Sequence, residues 1–272
     1  MLEEARAALG TGELIELKPG GQKLVYASEL EGKSAVVKVV RLPAGSASAI
    51  VLERAHREVE ILADIDSQYV VRVLSQAIEI GDSPEAICWA EEMLDGEDLS
   101  SAKNSYPWDG KEVRALMLDL AHGLNEFHQQ GVVHRDLSPG NIRRLTSNQF
   151  VLMDPGYARH LNKAALTGFY HPGTPGYLSP EHAPGGRPIE ASDVFCVGIL
   201  AYEALTGQPT FPDIADQDAY LRQLTTGQVD SIQSKLSSVD PDLGAVIDAC
   251  LQRQPARRYL DASELIAALN EI

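Results

Sequence analysis

The 272-residue sequence predicts an α+β fold in two parts: a small β-sheet with one helix over residues 1–95, and a mainly α-helical part over 96–272. Three observations predict it. Runs rich in β-branched residues, separated by turn signals, fill residues 13–40. The apolar period then changes to that of a helix over 47–65. From Asp98 onward the pattern is mostly helical, interrupted between 131 and 190 by a stretch in which Pro, Gly and His recur. Hydrophobic residues at 44% and charged residues at 23% are globular proportions, which excludes a disordered chain, a collagen-like repeat or a coiled-coil rod.

The elements follow in order. KLVYAS (23–28) and SAVVKVV (34–40) read as strands flanking the turn signal ELEGK. Ile50, Val51, Ala55, Val59, Leu62 and Ile65 recur at helical spacing, with Glu53–Arg57 and Arg54–Glu58 four apart in support. YVVRVLSQAIEI (69–80) and AICWAEEM (86–93) return to strand character. Residues 111–130 form a long amphipathic helix stopped by Gly131. DVFCVGILAYEALTG (193–207) is nearly all apolar, a buried helix ending at Gly207, and LGAVIDACLQR and ASELIAALNEI are two more helices. A long irregular stretch such as 131–190 inside a compact domain is a functional signal.

The net charge of −16 disfavours nucleic acid and anionic membranes as partners. It is spread evenly, nine cations against seventeen carboxylates in 1–95 and fourteen against twenty-two in 96–272, −8 in each. Solubility alone accounts for it; the sharper reading is a preference for basic partners. No apolar run approaches the roughly 18 residues of a membrane span. The start, MLEEARAALG, lacks the basic and apolar regions of a signal peptide. Cys88, Cys196 and Cys250 lie far apart with no CxxC spacing, which fits a reducing compartment and argues against a disulfide framework or a zinc site. The expected location is cytoplasmic.

The chemistry concentrates in VVHRDLSPGNI (132–142) and FVLMDPGYA (150–158). Asp136 and Asn141 are five apart, and Asp154 follows thirteen later. One amide and two carboxylates on neighbouring loops offer the hard oxygen ligands that suit Mg²⁺ beside phosphates. HRDL-x-x-x-N followed at this spacing by D-x-G resembles the catalytic and metal loops of the protein kinase family. The likeness extends over nearly the whole chain. VVKV sets Lys38 on a strand, and Glu58 follows twenty residues later in REVEIL, with Glu60 the alternative. GTPGYLSPE (173–181) resembles the end of an activation segment, with Ser179-Pro180-Glu181 in place of Ala-Pro-Glu. Asp193 and Arg258 match the family's structural aspartate and the arginine that pairs with the Glu181 position.

The resemblance implies a bilobal protein-kinase-like fold: an antiparallel ATP-binding lobe at 1–95 and a helical catalytic lobe at 96–272, with ATP between them. It implies that Asp136 accepts the substrate hydroxyl proton, that Asn141 and Asp154 hold Mg²⁺ (Mn²⁺ being the alternative ion), and that Lys38, oriented by Glu58, fixes the phosphates. The adenine is expected against EEMLDGE (91–97), on backbone groups of Glu92 and Leu94, covered by Val25 and Val36, with Asp98 toward the ribose or a basic substrate side chain. Arg135 is the expected receiver of an activation-loop phosphate, with Thr167 the autophosphorylation candidate and Thr174 shaping the substrate site. Ser179, Tyr157, Tyr170 and Tyr177 are the other hydroxyls of that segment. Asp213, Asp216 and Asp218 are candidates for a basic partner, against a solvated loop.

Four departures qualify the resemblance. The glycine-rich loop reduces to Gly20 with Gly21 beside it, flanked by Lys18 and Lys23, either phosphate-binding ammoniums or solvated loop tips. Ser138 stands where serine/threonine kinases carry a lysine, a role left to Lys23 or to the substrate. Pro155 replaces the usual phenylalanine and biases Asp154 away from the right-handed α region. Glu91 occupies a position where an apolar residue is common; a carboxylate there needs a partner, with Lys38 the candidate and a one-residue alignment shift the alternative. The leading reading is an ATP-dependent serine/threonine protein kinase. The alternatives are a nucleotide-binding regulatory pseudokinase and a small-molecule kinase, whose members generally lack the segment ending in Pro-Glu.

Overall fold

A computed structural model describes residues 1–18, 23–45, 47–155, 159–160, 174–182, 186–212 and 215–272. The chain divides into two compact units, Met1–Asp95 and Gly96–Ile272.

The first unit opens with α1 (Leu2–Leu9) and continues through β1 (Ile15–Lys18), β2 (Lys23–Leu30), β3 (Lys33–Arg41), α2 (Ala47–Ala63), β4 (Ile78–Ile80) and β5 (Ala86–Glu92). The strands form one sheet in the order β1-β2-β3-β5-β4, every pair antiparallel. The β2–β3 turn places Glu31 and Gly32 at φ 52° and 76°, the left-handed pair that matches the twist of a two-residue hairpin. Strand alternation sorts the side chains. Leu24, Tyr26, Val37, Val39 and Cys88 pack on one face with Ala5 and Leu9 of α1. The opposite face sets Ile87 and Trp89 against Ala55 and Val59 of α2. The strand expected over 69–80 shrinks to β4. Val70 and Val71 are both buried, so the segment does not alternate; Val73 makes an isolated bridge to Glu91, and Leu74 N–H donates to Ala90 O at 2.7 Å.

The second unit begins with β6 (Glu97–Asp98), α3 (Leu99–Ala102) and α4 (Gly110–Gln129). Asp109 caps α4 by accepting from the N–H groups of Lys111 and Glu112, both at 2.9 Å. Val113, Leu116, Met117, Leu120, Leu124 and Phe127 form its buried stripe. Then come β7 (Val132–Val133), β8 (Ile142–Arg144), β9 (Phe150–Leu152) and β10 (Arg159–His160). β6-β8-β9 and β7-β10 are small antiparallel sheets that shape the loops between them. α5 (Glu190–Thr206) runs buried from Ala191 through Leu205 and closes at Gly207, φ 67°. α6 (Gln217–Thr226), α7 (Ile232–Lys235), α8 (Pro241–Cys250) and α9 (Ala262–Asn270) complete the unit, each capped by an Asp or Ser side chain. Among the described residues no helix is long and apolar enough to cross a membrane.

Candidate active site

In the second unit the site is built on the loop from β7 to β8. Arg135 lies at φ 71°, a left-handed conformation that a side-chain-bearing residue adopts only when its surroundings fix it. Asp193, near the start of α5, does the fixing. Its Oδ2 accepts the N–H of His134 at 2.8 Å and its Oδ1 the N–H of Arg135 at 3.0 Å, with His128 Nε2 3.1 Å from Oδ2. Burial pushes this carboxyl up, but the His128 bond and charge, with His134 and the Arg135 N–H, bring it below its ordinary 3.8. It therefore stays ionised and acceptor-only. His128 in turn accepts the Ala262 N–H at 3.1 Å, tying α9 to the same point.

Asp136 follows with its carboxylate held at both oxygens. Asn141 Nδ2 donates to Asp136 Oδ2 at 3.0 Å and to its backbone O at 2.8 Å, while Thr174 Oγ1 donates to Oδ1 at 2.8 Å. Asn141 O also accepts the Met153 N–H at 2.8 Å, which ties the loop to the residue before Asp154. Asp154 stands at φ 53° and precedes buried Pro155. The right-handed α region is avoided, as expected before proline, but through the left-handed region rather than an extended one; aspartate tolerates that conformation better than most residues. Ser138 is buried, and its carbonyl accepts the Asn141 N–H at 2.9 Å.

The segment carrying Thr174 is anchored behind it. Arg258 places Nη1 and Nη2 2.7 and 2.9 Å from the two oxygens of Glu181. Burial raises the Glu181 carboxyl, yet the Arg258 bonds and charge, with the Ser192 hydroxyl, carry it below its usual range. Tyr177 donates its hydroxyl to buried Glu203 at 2.7 Å, and Lys103 Nζ meets the same carboxylate at 2.6 Å and also the Tyr177 hydroxyl. Burial, then Glu203, push the Tyr177 phenol far up, so it remains a donor. Burial, then Arg135, push the nearby His182 imidazole below its ordinary 6.5.

In the first unit, Lys38 of β3 lies opposite Val25 of β2 and Trp89 of β5 on the face that α2 covers. Its Nζ is 2.7 Å from Glu91 Oε1 and 3.9 Å from Glu58 Oε1 on α2, while Lys23 Nζ is 3.2 Å from the same Glu58 oxygen. Glu91 is thus a partner of Lys38, and the nearer carboxylate. Glu60, the alternative to Glu58, is exposed. Val25 and Val36 are half-buried on this face; Glu92 ends β5, its N–H donating to Arg72 O at 2.9 Å, and half-buried Leu94 lies two residues beyond the strand.

Several expected residues serve otherwise or fall elsewhere. Asp98 caps α3, its Oδ1 accepting from Ser101 N and Oγ at 3.0 and 3.1 Å. Asp216 caps α6, while Asp218 is exposed. Tyr177 and Ser179 are buried, so of the segment's hydroxyls Thr174 alone among the described residues faces the Asp136 carboxylate. Gly20, Gly21, Tyr157, Thr167, Tyr170 and Asp213 lie outside the described residues, as does the Lys18 side chain. Sequence reasoning missed Lys103, Glu203, His128 and Trp89. Only Trp89 left a signal, its position two before Glu91 on the same strand face.

The protein kinase domain model matches residues 20–268. Among curated relatives, the serine/threonine-protein kinase PkaA of Streptomyces coelicolor is 31% identical over 267 residues, 95% of this chain and 47% of that protein. The Corynebacterium efficiens serine/threonine-protein kinase drp72 is 28% identical over 262 residues, 93% of this chain and 49% of its own length. Serine/threonine-protein kinase PknB of Mycobacterium tuberculosis is 32% identical over 183 residues, 65% of this chain and 29% of that protein. The chain spans about half the length, or less, of these relatives.

Proposed function

The chain belongs to the protein kinase domain family, which uses ATP and a divalent metal, and on that premise we propose that it transfers the γ-phosphate of ATP to serine and threonine hydroxyls of protein substrates, itself included. Residues 1–95 form the nucleotide-binding lobe and 96–272 the catalytic lobe. The observation that carries the reading is the Asp136 carboxylate, held at one oxygen by Asn141 and at the other by Thr174. A carboxylate fixed in this way can accept the proton of a substrate hydroxyl and aim that oxygen in line, the positioning that phosphoryl transfer needs. Lys38, with Glu58, holds the phosphate tail; backbone groups of Glu92 and Leu94 take the adenine, with Val25 and Val36 covering the ring; Gly20, Gly21 and Lys23 complete the phosphate side.

The donor set suits Mg²⁺, with Mn²⁺ the other candidate. Asn141 spends its Nδ2 on Asp136, so its amide oxygen is the group left to offer beside the Asp154 carboxylate, and hard oxygen donors are what these ions prefer. When bound, the ion neutralises charge on the phosphate oxygens. Asn141 and Asp154 would hold it, and the Met153–Asn141 bond keeps their two loops in register. We further assign Arg135 and Thr167 to regulation by autophosphorylation, Thr174 to the substrate site, and the protein to the cytoplasm. The −16 charge supports a basic substrate.

The test is radiolabelled ATP with a generic basic protein, for wild type and Asp136→Ala. Loss of a general base costs roughly 10²–10⁴-fold in rate, so label should appear with wild type and all but vanish in the variant. Equal nucleotide binding with no label from either would establish the second reading, a nucleotide-binding regulator. The 2.7 Å contact of Lys38 with Glu91 is the observation that favours it.

A further inference from the structure

The first unit carries a carboxylate that phosphoryl transfer does not use. Glu91 and Trp89, two apart on β5, share a face with Lys38, and the strand register sets Trp89 directly opposite that lysine. Trp89 Nε1–H donates at 2.8 Å to Glu91 Oε1, the same oxygen that lies 2.7 Å from Lys38 Nζ. Both ammonium groups also lie over the indole ring, Lys23 at 5.4 Å and Lys38 at 5.9 Å from its centroid. Two carboxylates and two ammoniums thus alternate, with Lys38 nearest the strand glutamate and Lys23 nearest the helix glutamate, Glu58. The side chains of Lys38, Glu58 and Glu91 are only 6%, 5% and 3% exposed, so water screens them little.

We propose, resting on the nucleotide-binding reading above, that Glu91 is a specificity-determining residue that competes with the phosphates of the nucleotide for Lys38. The indole N–H and the buried setting fix its carboxylate beside the ammonium, so a phosphate approaching Lys38 must share the cation and meet a second negative charge. A nucleoside without phosphates meets neither cost. Glu91 therefore lowers affinity for the triphosphate and leaves affinity for adenosine alone, which sets a high KM for ATP.

The experiment measures Kd for ATP (with excess Mg²⁺) and for adenosine by calorimetry, on the intact chain and on Glu91→Gln. Glutamine has the size of glutamate and keeps an oxygen for Trp89. The variant should bind ATP at least about tenfold more tightly, the scale of one relieved like-charge contact, with adenosine unchanged. ATP binding that weakens while adenosine holds would overturn the proposal, because Glu91 would then orient Lys38 for phosphate. Equal shifts for both ligands would also overturn it, since that is a packing effect. A wild type that binds both ligands, with the same ATP-to-adenosine ratio in the variant, defeats this proposal alone; a wild type that binds neither defeats the nucleotide reading with it. Should Glu91→Gln not fold, Glu91→Met, which fills similar space without a charge, is read by the same outcomes.

Discussion

Replacing Arg258 with alanine should cost more stability than any exposed substitution in the second unit, and the structure sets the amount. Arginine has five N–H donors. Here Nη1 donates to Glu181 Oε1 at 2.7 Å and Ala191 O at 2.9 Å, Nη2 to Glu181 Oε2 at 2.9 Å and Arg253 O at 2.7 Å, and Nε to Gln252 O at 2.5 Å. The guanidinium also sits 4.6 Å over Phe195. Alanine would strand a carboxylate and three carbonyls. Breaking a buried ion pair by removing one partner costs about 3–5 kcal/mol. Glu181 is 18% exposed and can recover some hydration, so we take the lower end, about 3 kcal/mol. Lysine keeps the charge but replaces the planar fork with a point donor, and should lose about half as much. Urea unfolding followed by far-ultraviolet circular dichroism, which the helices of the second unit dominate, gives the numbers. A double-mutant cycle with Glu181→Gln isolates the pair, with an expected coupling of about 2 kcal/mol. A loss below about 1 kcal/mol for Arg258→Ala, or additivity within about 0.5 kcal/mol, would refute the reasoning.

The remaining predictions concern acid and backbone. His182 is held below its ordinary 6.5 in the folded chain, so the unfolded chain binds the extra proton first; stability is complete above that value and is lost as pH falls through the folded pKa. Thermal midpoints should decline below about pH 6.5, and that part of the decline should be missing in His182→Gln. Glu181 and Asp193 are also lowered, so their share of stability is present above their ordinary 4.5 and 3.8 and disappears at lower pH; Glu181→Gln should flatten its part of the acid limb. Gly96 sits at φ 78°, and a Cβ there would collide with Arg144 O, so Gly96→Ala should cost about 2–3 kcal/mol by urea unfolding. A change within about 0.5 kcal/mol would show that the β6–β8 contact gives way freely.

The elements legible in the sequence were those with strong local patterns. α2, α4 and α5 follow an apolar period, and β2–β3 is marked by β-branched runs around Glu31-Gly32. Residues 69–80 misled because Val70 and Val71 look like strand residues, yet both are buried through irregular backbone that meets β5 through isolated contacts such as the Val73–Glu91 bridge and the Leu74 N–H to Ala90 O bond. α1, α3, α6 and α7 went unread; α7 is four residues long and stands on the Ser231 cap. At the site, Asp136 and Asn141 were legible because they sit five positions apart. The supports were not. His128 lies 65 residues from Asp193, and Lys103 lies 100 from Glu203, separations at which sequence spacing carries no distance. The Lys38 network shows the same limit. Sequence reasoning named both carboxylates, but only the fold shows that Glu91 is nearer than Glu58.

The buried charges also settle what the acidity can mean. Six Asp, Glu, Lys or Arg side chains are buried among the described residues: Lys38, Glu58, Glu91, Asp193, Glu203 and Arg258. Each meets a group of opposite or protonatable charge: Lys38 with Glu91, Glu58 with Lys23, Asp193 with His128, Glu203 with Lys103, Arg258 with Glu181. An unpaired buried carboxylate would cost several kcal/mol, so the fold keeps its interior charges matched and leaves the excess acid outside. That excess is then a surface field, screened over roughly 8–10 Å at ordinary ionic strength. Such a field can raise the encounter rate of a basic protein and slow that of a free polyanion, and it acts before any contact forms. Glu91 acts after contact, on the same polyanion. The two opposing terms are therefore separable by salt: added salt weakens the surface contribution to the ATP association rate, while the buried Glu91 contribution to Kd persists.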